Sequence, residues 1–204
     1  GYDSAARWMH SAWVTAKGEK MSKSLGNGLS VPAVLAENSA WVVRYALGSV
    51  QYRSMLEWSD QTLTEAQSAY DRVSNFIERA GAAVGGQPSR EEIVSVSADE
   101  LPADFVAAMN DDINVSGASA AIFTAIRSGN TLLSKLADRV DSDVAKDEVR
   151  AVLVNVRAML DTLGLDPLAE PWVSEGAAGG TAGAGADSAE HTALDRLVSE
   201  QLEE

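Results

Sequence analysis

The sequence contains no cysteine and only two histidines, His10 and His191. Disulfides and thiolate metal sites are thereby excluded, and a zinc site assembled from this chain alone is not expected. Positive charge is scarce. Against 30 Asp and Glu there are 16 Lys and Arg, a formal net charge of −14. That balance argues against general attraction to nucleic acid, which depends on clustered cations. Salt screens charges beyond about 8–10 Å, so a local basic site can still act. No apolar run approaches the roughly 18–20 residues that span a bilayer. The first residues, GYDSAARWMH, lack the basic-then-apolar order of a secretory signal. They also lack an initiator Met, and the chain is read as a piece of a longer one.

What is present is a chain of 204 residues, 46% of them apolar. This is enough for one or two small domains with a core. Most of it has helical spacing. Ser30 is the expected N-cap of a short helix with Pro32 in its first turn, and a second helix is expected over 39–50. Ser59-Asp60 should cap a third, where Leu63, Ala66, Tyr70, Val73 and Ile77 recur every three or four positions and Arg79 closes the end. The Gly/Pro-bearing stretch 81–98 reads as a linker. A helix entered at Pro102 is interrupted by the turn formers of NDDIN (110–114). Amphipathic helices follow at 116–137 and 143–163, the last with Gly164 at its C′ position. Residues 174–188, SEGAAGGTAGAGADS, are low complexity and read as disordered, and a final amphipathic segment covers 190–204. Trp8, Trp13, Trp41 and Trp58 are expected to pack in the core and between domains. AARWMHSAWVTA (5–16) fits a buried strand or a short helix equally well.

One short segment concentrates cations and hydroxyls against this acidic background. In EKMSKSLGN (19–27), Lys20 and Lys23 are joined by Ser22 and Ser24, and Gly26 permits unusual dihedrals. Physically it is either a solvated basic turn or a loop whose lysines act as point charges on phosphates. The order of its residues favours the second reading. Lys20-Met21-Ser22-Lys23-Ser24 resembles the KMSKS signature of class I aminoacyl-tRNA synthetases. Around it, RWMHSAWVTAKGEKMSKSLGN, VRYALGSVQYRSMLEWSDQTL, AAMNDDINVSGASAAIF and RSGN resemble the cysteinyl-tRNA synthetase family over about residues 5–165.

The resemblance implies a mainly α fold. Residues 1–30 would be the end of a Rossmann-like catalytic domain with the KMSKS loop. A helical stem-contact fold (31–80), the linker, and a helical-bundle, DALR-like tRNA-binding domain (99–168) would follow, then a low-complexity linker (169–188) and the start of a truncated C-terminal helix (189–204). It implies ATP-dependent ligation of cysteine to its tRNA through cysteinyl-adenylate. Lys23 and then Lys20 would contact ATP, alongside Met21, Ser22 and Ser24, with Mg²⁺ accompanying the nucleotide. Zinc is expected in the family, but its ligands and the other nucleotide signature are not in this sequence, so the chain is expected to be inactive alone. The partners implied are cysteine, ATP and tRNA(Cys), with no membrane, and the protein is expected to be a cytoplasmic monomer. Where the family has Asp-Asp-Asp and Asn-Thr-Pro, this sequence has Asn110-Asp111-Asp112 and Asn114-Val115-Ser116, which predicts only a changed helix start. Asp111-Asp112 suit Mg²⁺ less well than a cap. Arg44, Tyr52 and Arg53 are candidates for the inner bend of tRNA, surface positions being the plainer reading, and His10 either lines the site or packs nearby. Two other readings remain. One is a cysteine ligase of mycothiol synthesis using the same adenylation chemistry. The other is a non-catalytic helical RNA-binding or interaction module.

Overall fold

Serine side chains set three of the helix starts. Ser39, Ser59 and Ser89 each accept a hydrogen bond from the backbone N–H three residues on, and so fill one of the donors a helix start leaves open. The computed structural model describes residues 8–16, 18–20, 30–137 and 143–173. The expectations for Met21, Ser22, Lys23, Ser24, Gly26, His191 and the segments 174–188 and 190–204 fall outside them. The chain divides into two compact units, Gly1–Ala169 and Glu170–Glu204.

The fold is mainly helical, with one small sheet near its N-terminal end. Strands β1 (Val14–Ala16), β2 (Glu19–Lys20) and β3 (Leu56–Glu57) lie in the order β2-β1-β3. β1 and β2 form an antiparallel hairpin pairing Thr15 with Lys20, so of the described residues 8–16 only 14–16 take the strand option, half-buried, and 8–13 are neither strand nor helix. β1 and β3 run parallel, with Val14 opposite Leu56. Parallel neighbours need a crossover, and helices α1 (Val31–Glu37) and α2 (Ala40–Gly48) lie within it.

α3 (Asp60–Val84) is the long central helix, with α2 packed on it on one side and the bundle on another. The bundle comprises α4 (Arg90–Val94), α5 (Ala103–Asn110), α6 (Val115–Ala137) and α7 (Asp143–Thr162). Its core holds Phe76 of α3, Ile93 of α4, Phe105 of α5 and Leu153, Met159 and Leu160 of α7, all fully buried. Each such side chain contributes about 1.5–3 kcal/mol on leaving water. Gly129 explains how α6 approaches α3. A Cβ there would lie 2.5 Å from Phe76 Cε2, so the ring occupies the space a side chain would need.

Several expectations change. α3 does not close at Arg79. It continues to Val84, where Gly85 at φ +82° ends it, and the Gln87 side chain folds back to donate to the Ile77 carbonyl at 2.8 Å. Residues 81–98 are not an open linker, since α4 lies within them and packs on α7. Five residues are too few for a periodic signal to stand out. Of the four tryptophans expected to pack, Trp41 is buried, whereas Trp8 and Trp13 are 75% and 60% exposed. Trp41 stacks on Tyr45 at 5.3 Å, meets the edge of Tyr70 at 5.0 Å and donates its indole N–H to Leu165 O at 2.8 Å. Its polar tip therefore tolerates burial. The end of α7 follows expectation. Gly164 is left-handed at φ +66°, its N–H donates to Asp161 O, and Leu165 N–H donates to Leu160 O.

Candidate functional site

The lysine-serine segment begins on β2. Lys20 is the last residue of that strand, and its backbone pairs with Thr15 of β1. The chain turns between the two strands at Gly18, whose φ of +76° suits glycine. Glu57 of β3 secures this turn. Its carboxylate accepts the Gly18 N–H at 3.3 Å and the Thr15 hydroxyl at 2.7 Å. A carboxylate binding a backbone N–H and a neighbouring hydroxyl fixes where β2 points, and hence where the chain stands at Lys20. Periodicity could not have singled out Glu57, which lies about forty residues away in sequence.

A second cluster joins this sheet to the bundle. Asp112, in the turn between α5 and α6, receives three side chains from the loop after α2. Tyr52 Oη donates to Oδ1 at 2.7 Å, Arg53 Nε to Oδ2 at 2.7 Å, and Gln51 Nε2 to Oδ2 at 3.2 Å. The Arg53 guanidinium also lies 4.9 Å from the Tyr52 ring centroid. The hydrogen bond from Arg53 chiefly holds the Asp112 carboxyl below its ordinary range. The same arrangement pushes Tyr52 up, first through its bond to Asp112, and pushes Arg53 up as well. On its other side, Tyr52 O accepts the Ala12 N–H at 2.7 Å, from the segment leading into β1. One short loop thus grips both the strand that feeds the hairpin and the turn that starts α6. Ser116 Oγ adds a bond to Ser49 O at 3.2 Å.

The backbone of that turn is unusual. Asp112 and Ile113 have φ of +52° and +55°, a region L residues seldom adopt and β-branched ones least of all. Each such residue costs about 1–3 kcal/mol unless its surroundings impose it. The reversal lets Asn114 Oδ1 accept the Gly117 N–H at 2.9 Å and so cap α6. The expected changed helix start is therefore an asparagine cap. Asp111 and Asp112 are not the N-cap partners of α6. Asp111 stands at the C-cap of α5, and Asp112 is taken up by Gln51, Tyr52 and Arg53.

The other candidates are dispersed. Tyr52 and Arg53, considered for RNA contact, both bond Asp112. Arg44 donates to Leu163 O at 3.1 Å and lies over Gly164, where a Cβ would come within 2.6 Å of it. His10 is exposed and stacks on Trp8 with ring centroids 6.4 Å apart. No group of three His, Cys, Asp or Glu side chains suited to a metal occurs among the described residues. With no cysteine in the sequence, the residues present do not fit a zinc site. No helix among the described residues is long and apolar enough to cross a membrane.

Comparison with known proteins accounts for both halves of this arrangement. Residues 1–68 match the family model for the class I (C) tRNA synthetase catalytic domain, and residues 104–167 match the DALR domain. The chain is 81% identical over 202 residues to the cysteine–tRNA ligase of Bifidobacterium longum, covering 99% of this chain and 36% of that protein. It is 49% identical over 180 residues to the cysteine–tRNA ligase of Beutenbergia cavernae, covering 87% of this chain and 36% of that protein. With the Streptomyces avermitilis enzyme of the same name the identity is 43% over 176 residues, or 86% of this chain and 34% of that protein. The chain thus spans about a third of the length of these relatives. With a catalytic-domain match holding the hairpin and a DALR match holding the Asp112 turn, the chain belongs to the cysteine–tRNA ligase family of class I tRNA synthetases.

Proposed function

We propose that this chain supplies the phosphate-gripping loop and the RNA-contacting helices of an enzyme that joins cysteine to its tRNA through a cysteinyl-adenylate. The observation that carries this reading is the Lys20–Ser24 sequence, whose first residue ends a hairpin anchored on Glu57, within the region that matches the catalytic-domain family. Lys23 and Lys20 act as cations on the ATP phosphates, with Met21, Ser22 and Ser24 completing the loop. They counter the charge that grows on pyrophosphate as the cysteine carboxylate attacks the α-phosphorus. Mg²⁺ accompanies ATP as part of the substrate. No step is assigned to zinc. Residues 31–80 contact the tRNA stem, and 99–168 form the helical RNA-binding part. The enzyme works in the cytoplasm as a monomer. The names of the relatives described above support a tRNA-charging enzyme over a ligase acting on an amino-sugar.

The test uses the full-length product of the gene that carries these residues. Replacing Lys23→Ala lowers cysteine-dependent ATP–pyrophosphate exchange about 100-fold or more, the range for removing one preorganised stabiliser of transition-state charge. Equilibrium tRNA binding stays as it was. Exchange at the unsubstituted rate overturns the role given to Lys23, and absence of cysteine-dependent exchange in the unsubstituted enzyme overturns the function.

A further inference from the structure

Apart from Arg44, the described arginines divide into two groups. Arg53, Arg90, Arg150 and Arg157 each pair with a carboxylate and hold elements together. Arg72, Arg79 and Arg127 form no ion pair among the described residues, yet all three line one cleft of about 410 Å³ between α3 and α6. Acids outnumber Lys and Arg by 30 to 16 in this sequence. Three such arginines together are therefore unexpected unless their partner lies outside the fold. The α6 side is free of competing acids, since its 23 residues include Arg127 and Lys135 but no Asp or Glu. The acid lining the cleft is Asp71, whose Oδ1 already accepts from Gln67 Nε2 at 2.8 Å.

Two of the three cations are held in place. The Arg72 guanidinium lies 4.8 Å from the Phe123 ring centroid, and its Nε donates to Ser68 O at 3.1 Å. Arg79 Nη1 donates to Asn130 Oδ1 at 3.1 Å. Both retain further N–H donors, since a guanidinium carries five. Seven residues of helix place Arg72 and Arg79 about 10 Å apart along α3, and Arg127 faces them from α6.

We infer that the α3–α6 cleft is a docking surface for the phosphate backbone of folded RNA. Preoriented guanidinium forks suit phosphate oxygens, and the Asn75 amide in the same lining can reach phosphate or ribose hydroxyl. Guanidinium forks match carboxylates as well as phosphates, and RNA is favoured over an acidic peptide because the relatives are tRNA ligases over the residues that form α3 and α6. The inference rests on the reading of the protein as a tRNA-charging enzyme and adds where the RNA backbone lies.

In the full-length product, Arg72→Gln, Arg79→Gln and Arg127→Gln are combined and compared with the corresponding Lys triple. Dissociation constants for tRNA(Cys) are measured over a salt series, with ATP–pyrophosphate exchange and thermal unfolding alongside. The Gln triple weakens binding at least tenfold and reduces the log–log salt slope by about 1 for each phosphate no longer neutralised. The Lys triple keeps most of the slope, and exchange is unchanged in both. Unaltered affinity and slope in a folded Gln triple overturn the cleft assignment while leaving the tRNA-charging reading standing. Competition by polyglutamate as effective as that by tRNA overturns the phosphate assignment. No tRNA binding by the unsubstituted protein overturns the underlying reading itself.

Discussion

Replacing Asp166→Ala should destabilise the bundle more than loss of any ion pair on its surface. The Arg157 and Asp166 side chains are 3% and 0% exposed, the most buried ion pair among the described residues. Arg157 Nε meets both Asp166 oxygens at 3.2 Å, Nη2 meets Oδ2 at 2.9 Å, and Nη1 donates to Pro88 O at 2.8 Å. Asp166 also accepts the Leu168 N–H at 3.2 Å. The pair therefore ties α7 to the segment before α4 and to the turn beyond Gly164. Alanine leaves the guanidinium buried with only the Pro88 carbonyl, and such an uncompensated charge costs about 3–5 kcal/mol. In a chain of about 150–250 residues, 1 kcal/mol moves Tm by about 2–4 °C. The expected fall is therefore about 6–20 °C, read by far-UV circular dichroism at neutral pH. Arg157→Met combined with Asp166→Leu removes both charges and should recover most of that loss, because neither desolvated ion remains. A fall of less than about 3 °C for Asp166→Ala, or a double variant less stable than the single, would refute the argument.

Two further expectations follow from the turn before α6 and from the α3–α6 contact. Asp112 has a depressed carboxyl pKa, so what it contributes is present above the ordinary carboxylate range and is lost as pH falls through the depressed value. Arg53→Met should move that titration upward in a carboxyl-detected NMR experiment, and an unmoved Asp112 resonance would show that Arg53 is not its cause. Gly129→Ala should lower Tm by a few degrees. The helix-propensity gain of about 1 kcal/mol is outweighed by an overpacking cost of about 1–3 kcal/mol, since the new Cβ meets two Phe76 ring carbons at 2.5 and 2.6 Å. A higher Tm would mean that the ring moves aside freely.

The amino-acid order by itself determined the features that depend on near neighbours. The starts of α1, α2, α3 and α5 follow from Ser30, Ser39, Ser59 and Pro102 at their entries, and the apolar faces of α3, α6 and α7 from residues three and four apart. The lysine-serine segment is recognised from five consecutive residues, and its role is the one proposed above. The tertiary structure alone decided what depends on residues distant in sequence. Glu57 holds the Gly18 turn from 39 positions away, and Arg53 meets Asp112 across 59. The two strands around the first tryptophans are too short to mark a buried face, and the tertiary structure leaves Trp8 and Trp13 in solvent while enclosing Trp41. The same holds for charge. Composition reports an acidic chain, whereas among the described residues folding pairs four arginines with carboxylates and leaves three facing one cleft. Side-chain pairing is a matter of distance in space, and no local pattern records it.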